Sequence, residues 1–369
     1  MADEVWILGG AGRSGREAAQ VLAAAGVPLV LVGRDGARLR DVSAQVDGAR
    51  TLVAGSVAAM IGEIGQQRPA VVVNTVGPFA ATAAPIARAC LAAGSYADLG
   101  NDFAAASAVL GLHQDAVAAG RTLVTGAGFG VLATESVVVR LCEGRPGALR
   151  VRTDAVPSVA LEAGVLGEAL AATIIDGVPA GGRRYTDGRL VRARVGGDRL
   201  RLTLPDGSPV TTASIPFGEL VAAQRASGAP SVVSASSEVP SSPAVQAVLP
   251  LAAALLKIGP LRDLARRRLA RVSFADRPGP RQHSWGRAHV QWPDGTSRTG
   301  WLRTGDASVF TAAVLAEVAR RLLAGDGQPG AYTPAALFGA SLAETCGGQF
   351  LLDGQPDHVD GQPGRVGRG

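Results

Sequence analysis

The 369-residue sequence predicts an α/β fold: a doubly wound parallel sheet with an inserted α+β domain of largely antiparallel sheet. Three observations carry that prediction. An apolar strand at the start of the chain runs through a glycine-rich turn into an amphipathic stretch. Short apolar runs then alternate with helical periodicity as far as about residue 130. Beyond that point two-residue alternation and hairpin-type turn signals take over. The expected organisation is 1–130 for the first domain, 131–305 for the α+β domain and 306–352 for C-terminal helices that pack back on the first. The segment 353–369 holds Gly, Pro and charge without periodicity and reads as a disordered tail.

The first strand is Val5-Trp6-Ile7-Leu8, and Gly10-x-Gly12-x-x-Gly15 follows it. The helix after it has Ala18, Val21, Leu22 and Ala25 at spacings of three and four. This is the dinucleotide fingerprint of a Rossmann-type domain. Gly10 is expected to allow the tight turn, Gly12 to let the backbone approach a pyrophosphate, and Gly15 to let the helix pack near the strand. The phosphates would sit on the free N–H groups of that helix, beside Arg13 and Ser14. A glycine turn without a nucleotide is the alternative.

The second strand, over 29–32, ends at Gly33-Arg34, where an NAD-preferring fold often has Asp or Glu. Arg13, Arg34 and Arg38 are all within reach of an adenosine phosphate, which guanidinium pairs in a bidentate fork. The reading is NADP(H) over NAD, with Arg34 and Arg38 as solvated helix-start residues the alternative; Asp35 leaves room for NAD. Strands over 51–54 and 70–74 come next. The latter ends in Asn74-Thr75-Val76-Gly77-Pro78-Phe79 at the carboxyl end of the sheet, where ligands bind in such folds. Gly77 permits close approach, Pro78 stiffens the turn and Phe79 can cover the ring or the substrate; a plain strand-to-helix turn is the alternative. A helix is expected over 85–93 with Pro85 in its first turn, a strand over 95–99, a helix over 104–119 and a strand over 122–124. The loop Gly126-Ala127-Gly128-Phe129-Gly130 should face the crevice. Gly128 there either cradles the nicotinamide amide or belongs to an inter-domain hinge.

In the second region, 149–156 reads as a strand and 161–175 as a helix broken by small residues. Strands at 190–195 and 200–204 flank Gly196-Gly197, and 287–292 and 297–303 flank Pro293-Asp294-Gly295-Thr296 as a hairpin. The segment 245–271 is apolar first and arginine-rich second, and three readings stay open: a core or lid helix pair, a homodimer contact, or a weak membrane-surface contact. A strong helix over 307–323 and a shorter one over 334–342 close the ordered part.

Composition narrows the classes. With 47% hydrophobic and 18% charged residues the chain is globular. The net charge of +5 comes almost wholly from arginine, since Lys257 is the only lysine. The arginines are scattered without aromatic interleaving, so no nucleic-acid partner is expected. Cys90, Cys142 and Cys346 are odd in number and far apart, and with the four histidines they show no metal-ligand spacing. No signal peptide fits before the first strand, and the apolar run 245–258 is too short to span a bilayer. The expectation is a cytoplasmic protein.

The Gly10 loop, Asn74-Thr75-Val76-Gly77-Pro78-Phe79, Ala92-Ala93-Gly94-Ser95-Tyr96-Ala97-Asp98-Leu99 and Gly330-Ala331-Tyr332-Thr333-Pro334 with Gly339 together resemble the saccharopine dehydrogenase-like reductases, including their trans-acting enoyl reductase branch. The resemblance spans roughly residues 3–352. It implies NAD(P)-dependent redox chemistry, a substrate domain inserted into the nucleotide domain, and a nicotinamide beside residues 74–79. It also implies that Asp98 and Asn101-Asp102 stand at the mouth of the crevice. Two departures matter: Gly55-Ser56 stand where an acidic residue often follows the third strand, and the middle domain lacks the basic cluster that an amino-dicarboxylate would need.

Hydride transfer needs a positioned proton source. None of Tyr96, Tyr185 and Tyr332 has a lysine four residues on, which excludes the Tyr-x-x-x-Lys arrangement. Asp102, Tyr185 and His283 head the candidate acids, with His289 and Asp98 behind them. Asp102 could equally cap the helix after it, and Tyr185 lies in a polar turn where exposure is expected. These readings combine into an NADPH-dependent reductase of a hydrophobic small molecule, reducing C=C or C=N, in secondary or lipid metabolism. A non-catalytic NADP-binding redox-sensing module and an NADP-dependent carbonyl reductase are the alternatives.

Overall fold

The computed structural model describes residues 3–352 apart from 47, 161–163, 166–170, 172–174, 176–180, 240–251, 253 and 276–278. The helix expected over 161–175, the apolar half of 245–271 and the tail 353–369 therefore lie largely or wholly outside the described residues.

Two sheets organise the chain. The first is built from β1 (Val5–Leu8), β2 (Leu29–Gly33), β3 (Arg50–Val53), β4 (Val71–Asn74), β5 (Ser95–Asp98) and β6 (Thr122–Val124), all parallel. Strand Gly330–Tyr332 returns to pair in parallel with β6 and makes it seven-stranded. From that edge the order is Gly330–Tyr332, β6, β5, β4, β1, β2, β3, so the chain reverses direction across the sheet between β1 and β4. β1, β2 and β4 are buried along their whole length, as parallel strands covered on both faces must be. The helices that cover them include α1 (Arg13–Ala24), α2 (Gly36–Ser43), α3 (Val57–Gln67) and α4 (Phe79–Cys90). α4 starts six residues before the expected 85, and Pro85 lies inside it. The Pro85 ring is exposed, so the backbone group it leaves unbonded can meet water. The helix expected over 104–119 is two, α5 (Phe103–Leu110) and α6 (His113–Ala119), broken at Gly111-Leu112.

The second sheet is nine-stranded. Its spine is Gly182–Thr186, Ser231–Ser236, β7 (Arg150–Val156), Ser284–Gln291 and Ser297–Thr304. All its pairings are antiparallel except that of Ser231–Ser236 with β7. The expected hairpin around Gly196-Gly197 is replaced by two others: Gly182–Thr186 pairs with Arg189–Ala193, and Leu200–Thr203 with Pro209–Ser214. The physical reason is the turn at Asp187-Gly188, where both residues have positive φ (50° and 74°), as the tightest hairpin loops require. Helix α7 (Phe129–Cys142) and helix Gly218–Ser227 pack on one face of this sheet, next to β7.

Helix Ala307–Leu323 packs against α1 and under β4 and β5, while the last strand, Gln349–Leu352, joins the second sheet. The segment 306–352 thus completes both sheets. In the basic half of 245–271, helix Gly259–Ala270 leaves Leu261 and Leu264 exposed. Among the described residues no helix is long and apolar enough to cross a membrane.

Candidate active site

The turn after β1 is shaped by close approach. Gly9, not Gly10, has the positive φ (80°), and a Cβ there would meet Thr75 Oγ1 at 2.7 Å. At Gly10 a Cβ would press on the Leu31 side chain at 3.0 Å, and at Gly15 it would meet the Gly9 carbonyl oxygen at 2.5 Å. Gly15 therefore packs the helix onto the loop itself. Gly12 is exposed and meets only the Gly9 carbonyl. It precedes α1 without any side-chain cap, and no acidic residue stands in the first turn of that helix. An uncapped, positively polarised helix start with a bare glycine backbone is a site that fits a pyrophosphate. Arg13 is exposed there and Ser14 half-buried.

At the end of β2, Gly33 is buried and Arg34 exposed. The Asp35 carboxylate accepts from the backbone N–H groups of Ala37 (3.0 Å) and Arg38 (3.1 Å), so it caps α2. The side chains of Arg13, Arg34 and Arg38 have no hydrogen-bond or ion-pair partner among the described residues.

The ends of β4, β5 and β6 are joined by one buried network. Asn74 Nδ2 donates to the Tyr96 hydroxyl (3.1 Å), which donates to Asp98 Oδ2 (2.9 Å). Asp98 Oδ1 accepts from Gly100 N (2.8 Å), Thr125 Oγ1 (3.0 Å) and Gly126 N (3.1 Å). Asn74, Tyr96 and Asp98 are all 0% exposed. Burial pushes the Asp98 carboxyl above the usual aspartate range, and its neutral donors recover only part of the difference. The network fixes three crevice loops relative to one another. The loop after β4 is tied to β1 as well, since Thr75 donates from N and Oγ1 to the Leu8 carbonyl. Gly77 and Pro78 line that loop half-exposed, and Phe79 packs against Gly100 in the first turn of α4. Gly128 is buried beneath Thr311, whose Oγ1 accepts from Phe129 N (3.0 Å), so it lies at a packing contact.

The three leading acid candidates are not brought together. Asp102 Oδ1 accepts from Ala105 N (2.8 Å) and caps α5. Tyr185 lies within strand Gly182–Thr186 opposite Val232, near the Arg225 end of helix Gly218–Ser227; burial pushes its hydroxyl above the usual range. His283 packs edge-on to Trp285 with ring centroids 6.0 Å apart, on the other face of the second sheet from α7.

The structure adds a pair that the sequence reading omits. Asn101 follows β5, and its Nδ2 donates to Glu219 Oε1 (3.2 Å) in the first turn of helix Gly218–Ser227. Glu219 is 2% exposed. Burial pushes its carboxyl up to about 7, against the pull of its own backbone N–H and Asn101, and Glu238 adds to the rise. A Cβ on Gly130 would lie 2.4 Å from Glu219 Oε1 and 2.9 Å from Asn101 Nδ2, so the glycine in the first turn of α7 makes room for the pair. A lone glutamate beside the apolar run Leu220-Val221-Ala222-Ala223 is the only signal the sequence offers.

No family profile matches this chain, and no curated protein matches it by sequence. Among solved structures it is similar to saccharopine dehydrogenase (L-Glu forming) from Saccharomyces cerevisiae, with a TM-score of 0.58 and 11% identity over 93% of this chain and 96% of that one. A short-chain dehydrogenase from Streptomyces avermitilis matches 34% of this chain and 64% of its own length at 18% identity and a TM-score of 0.29. A 3-hydroxyacyl-CoA dehydrogenase type-2 from Mycobacterium avium matches 33% of this chain and 72% of its own at 16% identity and a TM-score of 0.29. Along nearly its whole length, the chain has the saccharopine dehydrogenase fold that its crevice loops resemble.

Proposed function

We propose that this protein is an NADPH-dependent reductase of a hydrophobic small molecule, acting on C=C or C=N. The observation that carries the cofactor half is the crevice itself. An uncapped helix start behind Gly12 lies beside the reversal point of a parallel sheet, and β2 ends in Gly33-Arg34 with the nearby carboxylate engaged as a helix cap. Arg13, Arg34 and Arg38 would hold the 2′-phosphate, and residues 74–79 would pass the ribose and nicotinamide. The cofactor supplies a hydride when bound; the chain positions the acceptor, excludes water and provides a proton. The apolar character of the substrate rests on the apolar sequence run 245–258.

Fluorescence titration with NADPH and NADH tests the cofactor choice. Arg34→Asp is expected to weaken NADPH by roughly ten- to a hundredfold, about 1.4–2.7 kcal/mol, and to leave NADH unchanged. Equal losses for the two cofactors would remove Arg34 from the 2′-phosphate site. Turnover is read as loss of reduced-nicotinamide absorbance against panels of enoyl, imine and carbonyl compounds. Tight NADPH binding with no turnover in any panel favours the redox-sensing module over the reductase.

A further inference from the structure

Asn101 and Glu219 are bonded to each other, yet each keeps a buried polar atom, Asn101 Oδ1 and Glu219 Oε2, without a partner among the described residues. Buried polar atoms are nearly always paired, so a double omission in one contact asks for a chemical reason. An ionised glutamate there would bury an uncompensated charge. A neutral one accepts at Oε1 and carries its proton at Oε2. The pair then offers one donor and one acceptor: both complement a hydroxyl or an N–H imine, and the donor alone serves a carbonyl.

Its place in the fold matters as much. Asn101 follows β5, so the pair stands at the carboxyl end of the sheet on the β4–β6 side. The adenosine side, beyond β1, carries Arg34 and Arg38. A dinucleotide that straddles the reversal point puts its nicotinamide half over β4–β6. We propose that Glu219 is the proton-carrying side chain at the nicotinamide end of this crevice. The proposal rests on the reductase reading above. In a two-electron reduction the substrate takes a hydride from the cofactor, which is oxidised, and a proton from Glu219. The Glu219 O–H bond breaks, an N–H or C–H bond forms on the substrate, and the carboxylate regains its proton from water.

The groups around Glu219 are few. Glu238, at the end of strand Ser231–Ser236, is the acidic neighbour that favours the protonated form. Asp102 beside Asn101 is engaged in the α5 cap. At this contact α7 presents Gly130, while α7 and α5 meet neighbouring Gly218 through Val131 and Ala106. On β7, Val151 and Ala155 belong to the core shared with helix Gly218–Ser227. The residues named on α7, α5 and β7 carry no charge.

The test needs no substrate. Oxidised nicotinamide carries a positive charge that the reduced ring lacks, so a nearby carboxylate binds the oxidised cofactor better than the neutral acid does. The dissociation constants of NADPH and NADP⁺ are measured across neutral pH. In the wild-type protein the ratio Kd(NADPH)/Kd(NADP⁺) is expected to rise roughly tenfold as pH rises through about 7. Titration of the 2′-phosphate is common to both cofactors and cancels. In Glu219→Gln the ratio should be flat. Asn101→Ala removes a hydrogen bond that favours the carboxylate, so its midpoint should move to higher pH; this variant carries the test if Glu219→Gln fails to fold. A flat wild-type ratio, a slope that survives in Glu219→Gln, or an unmoved midpoint in Asn101→Ala overturns the assignment and leaves the reductase reading standing. Failure of the wild-type protein to bind either cofactor overturns both.

Discussion

Each sheet buries an aspartate in an inner strand, and the two are held by opposite means. Asp98 in β5 is bound only by neutral donors: the Tyr96 and Thr125 hydroxyls and the N–H groups of Gly100 and Gly126. Asp154 in β7 is bound by two guanidinium groups. Arg152 Nε and Arg287 Nη1 reach it at 2.9 and 3.0 Å, and the Thr212 hydroxyl donates at 2.6 Å. Burial pushes both carboxyls up, yet the outcomes diverge. Asp98 ends above the usual aspartate range, whereas Arg152 and Arg287 hold Asp154 below it. Burial alone therefore does not decide ionisation; the charge of the partners does. Near the crevice this arrangement fixes three loops without adding a fixed cation among the partners of the carboxylate. In the second sheet, arginine stitches strands together.

The largest effect should come from breaking the second arrangement. Asp154→Ala leaves Arg152 and Arg287 without their shared anion, and Arg287 is almost fully buried. The expected loss is about 3–5 kcal/mol in urea unfolding at neutral pH. Asp154→Asn keeps the shape and separates charge from packing. Because the folded state lowers this carboxyl, its contribution is present above the ordinary aspartate value and is lost as pH falls through the lowered one. The gap between wild type and Asp154→Asn should narrow on acidification, and a gap independent of pH would show that the arginines do not need the charge.

Asp98→Asn should cost less, about 2 kcal/mol, because an amide can still accept from Thr125 and Gly126 but turns a donor toward the Tyr96 hydroxyl. Its pH dependence runs the other way. The folded state raises this carboxyl, so its contribution is fully present below the ordinary aspartate value and fades as pH rises through the raised one. Wild type should therefore exceed Asp98→Asn most in acid, the mirror image of Asp154→Asn. Parallel curves for the two variants would end the contrast between the sheets.

The crevice was legible from local sequence where each requirement is local. At Gly10 and Gly15 the Leu31 side chain of β2 and the turn's own backbone leave no room for a Cβ, whereas at Gly9 it is Thr75, after β4, that excludes one. The alternation from β1 to β6 follows from short, doubly buried apolar strands. The second sheet was less legible. Strand Pro209–Ser214 is mostly Thr, Ser and Ala, and neither it nor Ser231–Ser236 shows the apolar alternation that marks an edge or half-buried strand. The Asp187-Gly188 and Asp206-Gly207 turn signals outweigh Gly196-Gly197, and the chain obeys them. The buried carboxyls are set at long range. Asn101 and Glu219 are 118 residues apart, and Glu135 accepts from Thr333 and Ala335 across about 200. Glu135 and Glu219 are both pushed up to about 7, but only Glu219 keeps an oxygen without a partner among the described residues. No local pattern distinguishes a glutamate that caps a helix from one that holds a proton for chemistry.

The smallest effect sharpens the comparison most. Tyr96→Phe removes one hydroxyl that accepts from Asn74 and donates to Asp98, while Asp98 keeps its three donors at Oδ1. The expected loss is about 1 kcal/mol, with Asp98 pushed further up and the acid-side contribution of that carboxyl extended to higher pH. Asn74 would keep its Oδ1 contact with Val76 N but lose its donor's partner. If the network serves only as scaffold, NADPH affinity should fall no more than stability does. If the freed Asn74 amide turns into the crevice, affinity should change while the unfolding midpoint hardly moves. A joint measurement of the two on this variant therefore separates a pin that holds the loops from a side chain that meets the ligand.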